Sequence, residues 1–245
     1  MNKDFAFWKK RVKEYGEKSV MDDNYKRGLY DDELRVFAFS QHKRIKRGMK
    51  ILDAGCGSGN WSIRYAAIGC DVTGVDFMPE LILIAKENAK KANVRVDFRV
   101  SAIEDFSAPK ETYDLITSIT VLQHITDEDR LKKTISNFHQ MLKPTGEVLI
   151  MEYILRKVPV CQNAGYTIIR DRAGWLKLFE EAGFDLVKEK PVRILGFKLY
   201  NLCERDFILR VSLLIDKLLC LMPFVSIRYT DTRLLIFKKR KQNYA

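Results

Sequence analysis

Ile51-Leu52-Asp53-Ala54-Gly55-Cys56-Gly57-Ser58-Gly59-Asn60 is a short apolar run that ends in an acid and enters a turn with three alternating glycines before a helical pattern begins. Glycines let the backbone take positive φ and let a bulky ligand approach the main chain. Twenty-one residues after Gly55, a second apolar run, Val72-Thr73-Gly74-Val75-Asp76, also ends in an acid. A dinucleotide-binding loop has comparable spacing, but its pattern is G-x-G-x-x-G. This turn reads D-x-G-x-G-x-G. An acid before the first glycine repels a pyrophosphate and attracts an ammonium group. The implied ligand therefore carries a cationic amino-acid end and a ribose, not a diphosphate.

Outward from this turn, short apolar runs alternate with helical stretches, the pattern of an α/β protein with a mostly parallel sheet. Strands are predicted at Met49 to Ala54, Asp71 to Asp76, Val94 to Val100, Tyr113 to Ile119, Gly146 to Tyr153, Phe184 to Val192 and Ser226 to Lys238. Helices are predicted at Asn60 to Ile68, Pro79 to Ala92, Asp127 to Leu142 and Asp171 to Ala182, preceded by Phe5 to Tyr15 and Asp31 to Arg47. The segment Arg205 to Pro223 is helical in length and apolar around most of its circumference. Arg210, Asp216 and Lys217 argue against a membrane span. Packing over the core, and docking on a membrane surface or a lipid-bearing substrate, both remain open for it.

The chain has 245 residues, 47% apolar and 31% charged, which excludes intrinsic disorder as its main description and suits one domain with one sizeable core. Its five cysteines are scattered without a C-x-x-C pair, so neither a disulfide framework nor a zinc site is expected, and no metal is assigned. The N-terminus lacks an apolar signal region, and a cytoplasmic location, with membrane association left open, is the expectation. The net charge of +11 is unevenly spread: residues 1–50 hold 14 basic and 8 acidic groups, residues 51–192 hold 18 and 20, and residues 193–245 hold 11 and 4. A core of −2 thus lies between ends of +6 and +7. RNA, a membrane surface or an anionic substrate would each suit basic flanks.

Taken together, ILDAGCGSGNWS, VTGVDFMPELI, YDLITSITVLQHI and LKPTGEVLIMEY resemble, in order, four motifs of the class I S-adenosylmethionine (SAM)-dependent methyltransferases. The resemblance runs from about Met49 to Tyr153 and more loosely to the C-terminus. It implies a Rossmann-like, doubly wound seven-stranded sheet with an antiparallel last strand, N-terminal helices, and a helical insertion before that strand. The expected division is a helical cap over residues 1–48, a SAM-binding core over 49–192, a lid over 193–225, and the final strand with a basic tail over 226–245.

Carried over residue by residue, the family pattern assigns Asp53, Gly55, Gly57 and Gly59 to the methionine and ribose portions of SAM. Asp76 is assigned to the ribose hydroxyls, and Phe77 and Met78 to the adenine. The family's usual acid after the third strand is replaced by Ala102. Backbone groups of Ala102 and Ile103, or the Ser101 hydroxyl, are left to serve, and Glu104 and Asp105 read as exposed loop acids. Ser118, Ile119 and Thr120 should border the methionine end. His124 is a candidate base with a structural hydrogen-bonding role equally open, while His42 and His139 are read as bystanders. Glu152 and Tyr153 after the fifth strand are further catalytic candidates. Tyr166 and Arg170 are candidate acceptor contacts, with an ion pair to Asp171 or a neighbour as the alternative for Arg170.

The resemblance implies transfer of a methyl group from SAM, leaving S-adenosylhomocysteine, to O or N of an acceptor by in-line displacement. D-P-P-Y and Pro-Cys motifs of base methylation are missing, as are aromatic-basic RNA-binding motifs, so nucleic acid is disfavoured. The expected acceptor is small, anionic, or lipid- or glycan-linked. Alternatives are an amine or a protein N-terminus, RNA, and a catalytically silent SAM-binding protein. A peripheral membrane contact and the oligomeric state stay open.

Overall fold

The computed structural model describes residues 3–16, 25–40, 45–154, 167–193, 206–221 and 232–241. Two helices, α1 (Lys3–Tyr15) and α2 (Tyr25–Ser40), precede an alternating unit. It comprises β1 (Lys50–Ala54), α3 (Asn60–Ile68), β2 (Asp71–Asp76), α4 (Pro79–Lys91), β3 (Asp97–Val100), β4 (Tyr113–Ile119), α5 (Glu128–Met141), β5 (Leu142–Tyr153), α6 (Arg172–Glu181), β6 (Phe184–Arg193), α7 (Asp206–Cys220) and β7 (Thr232–Lys239). The strands form one sheet in the order β3-β2-β1-β4-β5-β7-β6, and β7 runs antiparallel to both β5 and β6. The expected seven-stranded, Rossmann-like sheet with its antiparallel last strand is present.

β1, β4, β5 and β7 are buried almost throughout because helices cover both faces, which is why they read as continuous apolar runs rather than alternating ones. On one face α5 and α6 contribute Phe138, Trp175 and Phe179, and Phe179 stacks on Phe237 of β7 at 4.0 Å. On the other face Leu34 and Phe39 of α2 meet Tyr65 of α3 and Ile51, Leu115 and Leu149 of the strands. Local chemistry sets the helix starts. Pro79 opens α4, while the Asp127 and Asp171 side chains accept the backbone N–H groups of Arg130 and Gly174 at 2.9 and 2.8 Å.

Several boundaries differ from those read in the sequence. β3 begins at Asp97 because its pairing with β2 starts at Thr73↔Asp97, leaving Val94 and Val96 to pack below the ladder. β5 begins at Leu142, which pairs with Tyr113 before a register shift that resumes at Leu115↔Glu147. Glu104, read as an exposed loop acid, is instead buried and ion-paired with Arg130 of α5, because the loop after β3 turns inward on Ile103 and Phe106. Asp105 does face solvent, 2.8 Å from Lys133. His42, Tyr166 and the expected strand residues 226–231 lie outside the described residues.

Candidate active site

In a sheet of this topology the loops at the carboxyl ends of the parallel strands face the crevice where strand order reverses, here beside β1 and β4. The glycine turn leaves β1 at that edge. Gly55 has φ +82°, and a Cβ there would lie 2.5 Å from the Val121 methyls, so the turn and the loop after β4 touch directly. Gly59 caps α3 at φ +85°, and its bare Cα lets Phe98 and Ala85 approach. Its role here is packing of the turn against β3 and α4. The N–H groups of Gly55 and Cys56 are taken by the Val75 carbonyl, tying the turn to β2.

Asp76 ends β2 with 7% of its surface exposed. One carboxylate oxygen accepts the Gly57 N–H and the other the Met78 N–H, each at 2.9 Å. An ionised carboxylate has about four acceptor positions, so each oxygen keeps capacity for a hydroxyl donor. Asp53 lies deeper, 2% exposed, accepting from the Ser62 hydroxyl at 2.6 Å and the Thr117 hydroxyl at 3.3 Å. Burial raises both carboxyls to about 6, opposed at Asp53 chiefly by the Ser62 and Thr117 hydroxyls and at Asp76 by the backbone N–H groups of Met78, Gly57 and Phe77. Burial, reinforced by both acids, also pushes the Cys56 thiol up, so it is no nucleophile. The hydroxyls of Ser58 in the turn and Ser118 in β4 are buried with no hydrogen-bond partner.

Phe77 and Met78 follow Asp76. Met78 is buried with Val12 of α1 and Leu81, and Phe77 meets Phe5 of α1 at 5.8 Å. After β3 the Ala102 carbonyl accepts from the Ser101 hydroxyl at 2.9 Å and from two backbone N–H groups, and the Ile103 side chain joins the core. The Ser101 hydroxyl and the Ala102 carbonyl are thus already engaged within the loop. Ile119 likewise lies in the core, and Thr120 turns the chain out of β4 at φ +55°, a left-handed conformation costly for a β-branched residue.

Beyond Thr120, the loop is held from β5. Glu152 is fully buried, and one of its oxygens accepts the N–H groups of Val121 and Leu122 at 3.1 and 2.9 Å. The other oxygen is buried without a partner. Burial raises this carboxyl to about 8, against the loop N–H groups and the nearby Arg170, which pull it down. Gln123 reaches back with its side-chain oxygen to the Tyr153 N–H at 3.3 Å and its carbonyl accepts the Ile168 N–H at 2.8 Å. His124 then stands with Nδ1 2.9 Å from the Thr167 hydroxyl, Nε2 3.5 Å from the Gln123 amide nitrogen, and its ring edge-on to Trp8 of α1 at 5.1 Å. Ser62, Thr117, Gln123, Thr167 and Trp8 were not singled out in the sequence, where only long-range folding brings them to the site.

Arg170 pairs with Glu128 at 3.0 Å and lies over the Trp175 ring at 5.4 Å, with its second terminal nitrogen buried and unpartnered. The neighbour that receives it is Glu128, since Asp171 is occupied in capping α6. Arg170 also borders a groove of about 390 Å³ between α5 and α6, whose other charges, Lys132, Lys177 and Glu181, stand close to one another. His139 packs edge-on against Phe184 at 5.1 Å, away from this edge. Among the described residues no cluster of His, Cys, Asp and Glu has metal-site geometry.

Residues 51–146 match the family model described as a methyltransferase domain. A ubiquinone biosynthesis O-methyltransferase of Xanthomonas oryzae pv. oryzae is 33% identical over 104 residues, 42% of either chain, so the chain aligns with less than half the length of that relative. Among solved structures, a TehB-like SAM-dependent methyltransferase from Corynebacterium glutamicum superposes with a TM-score of 0.56 at 22% identity, covering 96% of both chains. The phosphoethanolamine N-methyltransferase 1 of Haemonchus contortus, bound to phosphoethanolamine and S-adenosylhomocysteine, superposes with a TM-score of 0.69 at 13% identity over 98% of this chain and 49% of that one. Residues 51–146 are thus similar to the methyltransferase-domain family, and the sheet that holds them has the fold of the class I SAM-dependent methyltransferases.

Proposed function

We propose that this chain is a SAM-dependent methyltransferase that transfers a methyl group to an oxygen or nitrogen of a small, anionic or lipid- or glycan-linked acceptor. The observation that carries the reading is the buried Asp76 carboxylate locked to the Gly57 N–H of an acid-led glycine turn, with unpartnered buried hydroxyls at Ser58 of that turn and at Ser118 of β4. These groups fit SAM: two carboxylates for a cation and a ribose, donors for its polar edge, and Phe77 with Met78 for a flat base. SAM supplies an electrophilic methyl on a sulfonium centre. Asp76 binds the ribose hydroxyls, and Asp53, held by Ser62 and Thr117, favours the cationic end through its field. α1, residing against Phe77, Met78 and His124, closes the crevice against water in this reading.

Transfer to a hydroxyl requires removal of a proton, and His124 is the candidate base for it. The Tyr153 N–H can only donate, so the Gln123 oxygen faces it and the Gln123 NH₂ faces His124 Nε2. Nε2 is then the acceptor nitrogen, and Nδ1–H donates to the Thr167 hydroxyl. O-transfer is the reading in keeping with the O-methyltransferase relatives. Arg170 and the basic flanks supply positive charge for an anionic acceptor.

The test is transfer of labelled methyl from SAM by the purified protein to lipid, metabolite, protein and RNA fractions of a cell extract. Label in the lipid or metabolite fraction is expected. SAM binding with no transfer to any fraction would establish the silent reading, and label in RNA alone would overturn the acceptor class. With the acceptor in hand, Thr167→Val should lower kcat by roughly tenfold or more and shift the acidic limb of the pH–rate profile, where the base must lose its proton, as loss of a base-orienting hydrogen bond requires. An unchanged profile together with an active His124→Asn variant would point to an amine acceptor that needs no base.

A further inference from the structure

α7 has two apolar faces with different fates. Leu213 packs on the core, Asp216 is fully buried, and Cys220 reaches the Val192 carbonyl at 3.5 Å, so this side is seated against β6. Lys217 ties the helix to α2 through Glu33 at 3.1 Å. On the opposite side Val211, Leu214, Ile215, Leu218 and Leu221 are 39 to 59% exposed. Their i, i+3, i+4, i+7 spacing makes one continuous apolar stripe rather than scattered surface residues. Packing over the core accounts for only half of this helix.

We infer that the exposed face of α7 docks on an anionic lipid surface, with the helix lying in the plane of the interface. A helix of 15 residues is about 22 Å long, and no helix among the described residues is long and apolar enough to cross a membrane. A one-sided stripe of leucine, isoleucine and valine on a folded scaffold is the form an interfacial helix takes. Charge selects the partner. Arg210 lies exposed roughly a quarter of a turn from the centre of the stripe, where a long side chain buries its stem and keeps its charge at the headgroup level; Lys217, on the same flank, is paired with Glu33. The C-terminal segment that contains the stripe, residues 193–245, carries 11 basic groups, of which Arg193 is buried and Arg233, Lys238 and Arg240 are ion-paired at or next to β7, against 4 acidic groups, whereas residues 51–192 are slightly acidic. A second copy of this chain would oppose that positive charge to itself, and an anionic bilayer complements it. This docking does not depend on the methyl-transfer reading.

The experiment is co-sedimentation of the full chain with vesicles of equal parts phosphatidylglycerol and phosphatidylcholine, alongside phosphatidylcholine alone. The protein should pellet with the anionic vesicles at low ionic strength and be released as salt rises. Leu214→Gln/Leu218→Gln, both on exposed positions, should lower vesicle affinity by about tenfold or more, while the SAM dissociation constant measured by calorimetry stays that of the unsubstituted chain. Protein that remains in the supernatant with anionic vesicles at low salt overturns the inference, as does a double variant that pellets like the unsubstituted chain. A dimer that the same substitutions split, without any vesicle binding, overturns it in favour of self-association.

Discussion

Asp76 holds Gly57 N–H on one oxygen and Met78 N–H on the other, so it both shapes the turn and presents negative charge at the crevice. Asp76→Ala should weaken SAM binding by roughly 1 to 3 kcal/mol through lost charged hydrogen bonds, and calorimetry that returns an unchanged dissociation constant would remove Asp76 from the cofactor site. Because burial raises Asp53 and Asp76 to about 6, affinity for a cationic ligand should also decline as pH falls through that value. Both acids were legible in the sequence as strand-end carboxylates flanking a glycine turn. Their hydroxyl and backbone partners were not, since Ser62 and Thr117 reach Asp53 only after α3 and β4 fold over it.

Elements meet at the site with little tolerance. Gly55 combines a left-handed φ with Val121 methyls where its Cβ would stand. Gly55→Ala must therefore strain the backbone and separate the glycine turn from the loop after β4. A loss of more than about 1 kcal/mol of stability is expected in denaturant unfolding, accompanied by weaker SAM binding. A variant as stable as the unsubstituted chain would show that the loop can withdraw at no cost. The bounds of α3, β2 and β4 coincide with those read from the sequence, because caps and turn residues mark them locally. β5 starts earlier than its apolar run suggests, since its first residues are strand only by virtue of pairing with β4. The same distinction governs α7: its pattern announced an apolar helix, but which face stays uncovered depended on where α2 and β6 lie.

Across the whole molecule, three buried carboxyls make the unliganded protein sensitive to alkali. Asp53 and Asp76 are raised to about 6 and Glu152 to about 8, all above their values in the unfolded chain. Groups shifted in this direction contribute stability that is fully present below the unfolded value and is lost as pH rises through the folded one. Thermal midpoints should fall as pH rises from about 5 through 8. Glu152→Gln keeps an acceptor oxygen for the Val121 and Leu122 N–H groups while removing the ionisation. It should flatten the alkaline part of that curve and be more stable than the unsubstituted chain above about pH 8. An unaltered slope would mean that Glu152 is already ionised at neutral pH.

By itself, the sequence determined the alternation of strands and helices, the order of the methyltransferase motifs, the two strand-end acids and the separation of basic ends from an acidic core. Each of these rests on local periodicity, short motifs or composition, which need no knowledge of distant neighbours. Only the tertiary structure decided that Glu104 is buried, that Glu152 pins the loop after β4, that Gln123 and Thr167 flank the His124 ring, and that α7 leaves a leucine-rich face in solvent. Burial and hydrogen-bond pairing are properties of residues far apart in the chain, so they come into being only when the sheet brings those residues together.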